Sequence, residues 1–118
     1  MRLLVVDDNP ELLEVLSDAM ALFGHEVDTA KDGIDAMDLQ TNQHYDIVIT
    51  DADMPRLDGI ELCRFIKTHS PAVKIIGMSG SLALAEFKDA GADFCLSKPF
   101  SIDQLRDAVE NRLHPLHH

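Results

Sequence analysis

Five polar side chains carry the chemistry available to this sequence: Asp7, Asp8, Asp51, Ser79 and Lys98. Each lies at the carboxyl end of a short apolar run, where a buried strand would stop. Three carboxylates crowded together repel one another, and each resists ionisation unless a cation joins them. Oxygen-only ligands fit Mg²⁺, which keeps several of its waters and is usually shared with a phosphate. A lysine ammonium opposite the ion can pair with a phosphoryl oxygen as a compact point charge. The Ser79 hydroxyl can hydrogen-bond another. A carboxylate is also a competent nucleophile towards a phosphoryl group, giving an aspartyl phosphate. The chain has no Gly-rich phosphate loop and no residue placed as a base for hydrolysis of a small molecule. The set suits acceptance of a phosphoryl group, with the metal neutralising the charge that accumulates.

The elements that must position these groups are legible in order. The organising stretch is YDIVITDADMPRLDG, Tyr45 to Gly59, in which Ile47-Val48-Ile49 reads as a buried strand stopping at Asp51. Arg2 to Val6 is an earlier strand, followed by Asn9 as a helix cap and Pro10 in the first turn. Leu12, Leu16, Ala19 and Phe23 recur at helical spacing, with Leu13, Val15 and Met20 widening the stripe, and Gly24 ends that helix. His25 to Ala30 is a more polar strand expected near the sheet edge. A second helix runs from Asp32-Gly33 to about Gln43. After the acidic loop, Asp58 and Glu61 form a capping box for a helix through Leu62, Phe65 and Ile66 that closes at Ser70-Pro71. Val73 to Met78 is the fourth strand. Ser79-Gly80-Ser81 leads into a short helix through Leu84 and Phe87 to Gly91. Phe94 to Ser97 is the fifth strand. A last helix is capped by Ser101 and Gln104, stapled by Phe100 and Leu105, and continues through Val109 and Leu113. Strand and helix alternate five times with short links, which predicts a doubly wound α/β fold: a five-stranded parallel sheet covered on both faces. The polar ends of its strands then leave one edge of the sheet, where such folds place their ligands.

Composition narrows the function classes. At 118 residues, 46% apolar, the chain is one domain that buries roughly two-thirds of its unfolded surface. The formal net charge of -11 argues against direct nucleic-acid binding and against anionic membranes. A cation or a partner with a basic patch is the natural complement. Cys63 and Cys95 form no CxxC pair and suggest a reducing compartment. No apolar stretch is long enough to span a bilayer, and no signal peptide precedes the first acidic residues. The expected location is the cytoplasm. Residues 114–118, His-Pro-Leu-His-His, are set aside as a tail, leaving 1–113 as the domain.

Five segments in this order, LLVVDDNP (3–10), DIVITDADMPRLDG (46–59), IIGMSGS (75–81), GADF (91–94) and LSKPF (96–100), resemble the receiver domain of bacterial two-component response regulators, in its stand-alone chemotaxis-type form. The resemblance covers essentially the whole chain. It implies the flavodoxin-like strand order 2-1-3-4-5. It implies that Asp51 is the phosphoacceptor and that Asp7, Asp8 and Asp51 bind Mg²⁺, or Mn²⁺ in its place, with the backbone carbonyl of Asp53. Ser79 falls at the switch hydroxyl position and Lys98 at the lysine position, and the Lys98-Pro99 bond is expected to be cis. Met54, Pro55, Gly59 and Pro99 are expected to shape the site. The implied partners are a sensor histidine kinase or a histidine phosphotransfer protein, and a downstream protein target.

Several residues have plainer readings. Asp58 matches a helix cap, Cys63 a small core residue, and His25, His44 and His69 solvated element ends. Two features depart from the family pattern. Cys95 stands where receivers usually carry Tyr or Phe, with Phe94 on the opposite face, and the stretch from Ser79 to Lys98 is short by roughly one helical turn. The Ser81–Asp89 segment is therefore the expected carrier of the conformational change. Rival readings are a haloacid-dehalogenase-like phosphatase, from the DxD of Asp51-Ala-Asp53, a flavodoxin-like FMN binder, and a pseudo-receiver interaction module. The first places its nucleophile strand first and its acidic pair last, the reverse of this chain. The second would set Asp7 and Asp8 against a phosphate.

Overall fold

The computed structural model describes residues 1–80 and 83–113. Ser81, at the head of the expected switch segment, and the 114–118 tail lie outside the described residues. Five strands, β1 (Arg2–Val6), β2 (Glu26–Ala30), β3 (Ile47–Asp51), β4 (Lys74–Ser79) and β5 (Phe94–Ser97), alternate with α1 (Pro10–Leu22), α2 (Gly33–Asn42), α3 (Gly59–His69), α4 (Leu84–Asp89) and α5 (Ile102–Asp107). All pairings are parallel, in the order β2-β1-β3-β4-β5. The polar β2 is an edge strand, as its composition predicts.

Successive strand residues face opposite sides of a sheet, and the apolar runs of β1, β3 and β4 supply both. Leu4, Val6, Val48 and Ile75 pack with Ala36, Leu62, Ile66 and Phe87 from α2, α3 and α4. Leu3, Val5, Ile49, Ile76 and Met78 pack with Leu16, Met20, Leu105 and Val109 on the other face. A parallel strand buried on both faces must be apolar throughout until it leaves the core. Asp7, Asp51 and Ser79 stand at the carboxyl edge, where β1, β3 and β4 leave the core, and the polar Thr50 stays buried one residue earlier.

The local start signals act as read. The side chains of Asn9, Asp32, Asp58 and Ser101 accept backbone N–H bonds at the heads of α1, α2, α3 and α5, with full capping boxes at Asp58 and Ser101. Gly24 closes the α1 end with φ +95°, a conformation a side chain disfavours. Cys63 is fully buried, and burial pushes its thiol up to about 11.

Three expectations need correction. Val15 does not widen the buried stripe of α1 but stands 55% exposed, because α1 meets the sheet along Leu16 and Met20. His25 is not a solvated end. Its Nε2 lies 3.1 Å from Glu110 Oε2 and its side chain is 8% exposed, because Glu110 near the end of the last helix reaches it. His69 is exposed at the end of α3 as expected, and its ring stacks on Phe65 with centroids 4.3 Å apart. The last helix is α-helical only to Asp107 and widens into a π turn over Ala108–Arg112, a feature with no signature in its apolar spacing.

Candidate phosphoacceptor and metal site

The register of the sheet brings the ends of β1, β3 and β4 level: Val6 pairs with Thr50, and Asp51 with Met78. Asp7 continues β1 by one bond, its N–H donating to the Ala30 carbonyl at 3.2 Å. Its buried carboxylate accepts the Asn9 N–H at 2.9 Å. Asp8 follows on the exposed side. Asp51 is the last residue of β3 and is 8% exposed. One carboxylate oxygen from each of Asp7, Asp8 and Asp51 lies within 4.8 Å of the others.

Lys98 enters from the β5–α5 loop. Its Nζ stands 2.9 Å from Asp51 Oδ1 and 3.2 Å from Asp7 Oδ2, and its N–H donates to the carbonyl of Ser79 at 2.8 Å. Ser79, expected just beyond β4, is the strand's last residue and is buried. The Lys98-Pro99 bond is cis, as the resemblance implied.

Burial holds the Asp51 carboxyl above its ordinary value. The Lys98 hydrogen bond and charge oppose this, and the Asp7 charge adds to it. Burial alone would pull the Lys98 ammonium down. The bond to Asp51 and the charge of Asp7 outweigh it and leave Lys98 raised. Three carboxylates facing one ammonium carry a formal charge of two units negative, which one divalent cation would balance. The donor set therefore fits a hard dication with oxygen ligands. It also fits attack on a phosphoryl group, since the Asp51 carboxylate sits beside a cation that can meet an incoming oxygen.

The end of the loop after Asp51 packs closely against β3. A Cβ on Gly59 would come 1.8 Å from the Asp51 carbonyl oxygen, and the Gly59 N–H donates to Ala52 O at 2.8 Å. Glycine is required there because α3 starts directly against the backbone of the site. Met54 is half-buried against the α2–α3 side of the core, Pro55 is exposed, and Asp53 is exposed two residues beyond Asp51. Cys95 lies on that same α2–α4 face, its Sγ 3.9 Å from the Leu84 carbonyl, while Phe94 packs on the opposite face.

Sequence reasoning missed Arg56. Its guanidinium forks onto Asp32 (Nε to Oδ2 3.0 Å, Nη2 to Oδ1 2.9 Å) and reaches Asp35 at 3.1 Å. The partners are 24 residues apart, so no local pattern announces the pair.

A parallel sheet in this order, with an acidic cluster and a lysine at its carboxyl edge, is the flavodoxin-like arrangement the sequence predicts. The chain belongs to the response regulator receiver domain family, whose model matches residues 3–110. The sensor histidine kinase RcsC of Escherichia coli (strain K12) is 37% identical over 113 residues, covering 92% of this chain and 12% of that protein. The response regulator MprA of Mycobacterium sp. (strain KMS) is 38% identical, covering 89% and 47%. The chain thus spans less than half of these relatives. Among solved structures, a receiver domain protein from Clostridium thermocellum is similar at TM-score 0.88 and 30% identity, covering 95% of this chain and 93% of that one. The response regulator TrrA from Thermotoga maritima, in complex with Mg(2+)-BeF, is similar at TM-score 0.86 and 33% identity, covering 92% and 96%. Nothing in these matches favours the phosphatase reading. Among the described residues, no helix is long and apolar enough to cross a membrane.

Proposed function

We propose that residues 1–113 form a receiver that accepts a phosphoryl group on Asp51 from a phosphohistidine of a sensor histidine kinase or a histidine phosphotransfer protein, in the cytoplasm, and thereby switches a contact with a downstream protein. The observation that carries this reading is the 2.9 Å approach of Lys98 to Asp51 at the centre of the three-carboxylate cluster. Kinship with the RcsC sensor kinase and the MprA response regulator supports the choice of donor.

Asp51 forms the new P–O bond as the P–N bond to the donor imidazole breaks. Lys98 moves from the Asp51 carboxylate to a phosphoryl oxygen, and its remaining bond to Asp7 holds it in range. The buried Ser79 hydroxyl donates to another oxygen of the product. Asp7, Asp8, Asp51 and the Asp53 carbonyl would hold Mg²⁺, or Mn²⁺, which neutralises phosphoryl charge when bound. Acceptance and slow loss of the phosphate are the chain's own chemistry, without turnover of a small-molecule substrate.

The test is intact mass after incubation with acetyl phosphate and Mg²⁺. The wild-type protein gains one phosphate and Asp51→Asn gains none. An equal gain in Asp51→Asn, or none in the wild type, overturns the assignment.

A further inference from the structure

Arg56 is the one non-glycine residue with positive φ among the described residues, at +68°. Left-handed backbone is costly for a side chain that gains nothing from it. Arg56 gains the fork onto Asp32 and Asp35. That hydrogen bond, with the Asp35 N–H bond second, holds the Asp32 carboxyl below its ordinary range. Beside the fork, the two segments touch backbone to backbone: a Cβ on Gly33 would meet the Leu57 carbonyl at 2.1 Å. The N-terminus of α2 and the 52–58 loop are therefore joined at two points, Asp32–Arg56 and Gly33–Leu57. Two residues on from Leu57, Gly59 packs this same end of the loop against Asp51, the last residue of β3.

We infer that Arg56 is a positioning residue for the metal site: by clamping the loop to the Asp32 cap of α2, it holds the Asp53 backbone in the place from which its carbonyl serves Mg²⁺. The inference rests on the proposed Mg²⁺ site. Arg56 touches neither ion nor phosphate and acts through the loop.

Positioning can be separated from plain electrostatics by sign. If only charge mattered, removing the Arg56 cation would strengthen Mg²⁺ binding and removing the Asp32 anion would weaken it. If the clamp positions the loop, both changes weaken binding. Arg56→Gly removes the fork while suiting the positive φ. Asp32→Asn removes the charge and one acceptor while keeping a good helix cap.

The experiment is calorimetric titration of the phosphate-free protein with Mg²⁺ alone, with urea midpoints of the ion-free variants measured alongside. Both variants should bind Mg²⁺ on the order of tenfold more weakly, as supporting partners of metal ligands typically do. The double variant should be no worse than either alone, because one clamp is being broken. Wild-type affinity in either variant, tighter binding in Arg56→Gly, or additive losses would overturn the role of Arg56 and leave the Mg²⁺ site standing. A wild-type protein that takes up no Mg²⁺ would overturn the site and the inference together.

Discussion

At the scale of single residues, the site is decided as much by a missing side chain as by the charged ones. Asp51 and Lys98 form the 2.9 Å pair at the centre of the cluster, but Gly59 lets α3 begin where it does. Gly59→Ala would place a methyl 1.8 Å from the Asp51 carbonyl oxygen, and both neighbours are backbone, which cannot rotate away. The expected loss is at or above the upper end of the usual overpacking cost, about 3 kcal/mol, read from urea denaturation. Because relief must move Asp51 itself, phosphorylation by acetyl phosphate should slow in the same variant. A loss below about 1 kcal/mol with normal phosphorylation would show that the loop yields easily. Cys95 marks the opposite case, a small and polarisable side chain. Burial raises its thiol above the ordinary value, and it sits 3.9 Å from the Leu84 carbonyl. It can fill a gap but cannot report a change by swinging a ring.

At the scale of elements, α4 is short and weakly capped. It has six residues, its N-cap Ala83 makes no side-chain cap bond, and Phe87 is its one buried residue. That ring is seated on Gly77, where a Cβ would stand 2.5 Å away, so Phe87 is the anchor of α4 in the core. Weakly held segments are the ones that open and switch at low cost. Beryllofluoride with Mg²⁺ should therefore change amide exchange most over residues 83–89, through a shift between states already present. Cys95→Ala should leave that change intact. A response centred on β5 that disappears in Cys95→Ala would refute it. The other end of the molecule is held differently. The last helix is tied back by Glu110, which takes His25 at 3.1 Å and Arg106 at 3.2 Å.

At the scale of the whole molecule, an acidic chain has placed three carboxylates at one edge and one lysine among them. Folding assembles this repulsion, so an ion that binds only the folded state should stabilise the protein by mass action. Mg²⁺ at 100 times its dissociation constant is worth about 2.7 kcal/mol, visible as a rise in the thermal midpoint. Asp8→Ala should remove most of that gain without unfolding the protein, since Asp8 is exposed and outside both apolar clusters. A midpoint indifferent to Mg²⁺ would rule out a preformed site.

The sequence by itself determined the alternation of elements, the caps at Asn9, Asp58 and Ser101, and the strand ends that carry Asp7, Asp51, Ser79 and Lys98. These are written in short-range patterns: apolar runs of strand length, capping residues three positions apart, and the polar residue that ends each buried run. The tertiary structure alone decided what depends on pairs distant in the chain. Arg56 meets Asp32 across 24 residues, and His25 meets Glu110 across 85. Val15 turned outward because α1 met the sheet along Leu16 and Met20, and the π turn at Ala108 left no mark in the spacing of its apolar residues. Local propensity chooses the type of an element, but the neighbour each face meets is chosen by packing. That is why the clustered carboxylates and their lysine could be read from the chain and the Arg56–Asp32 pair could not.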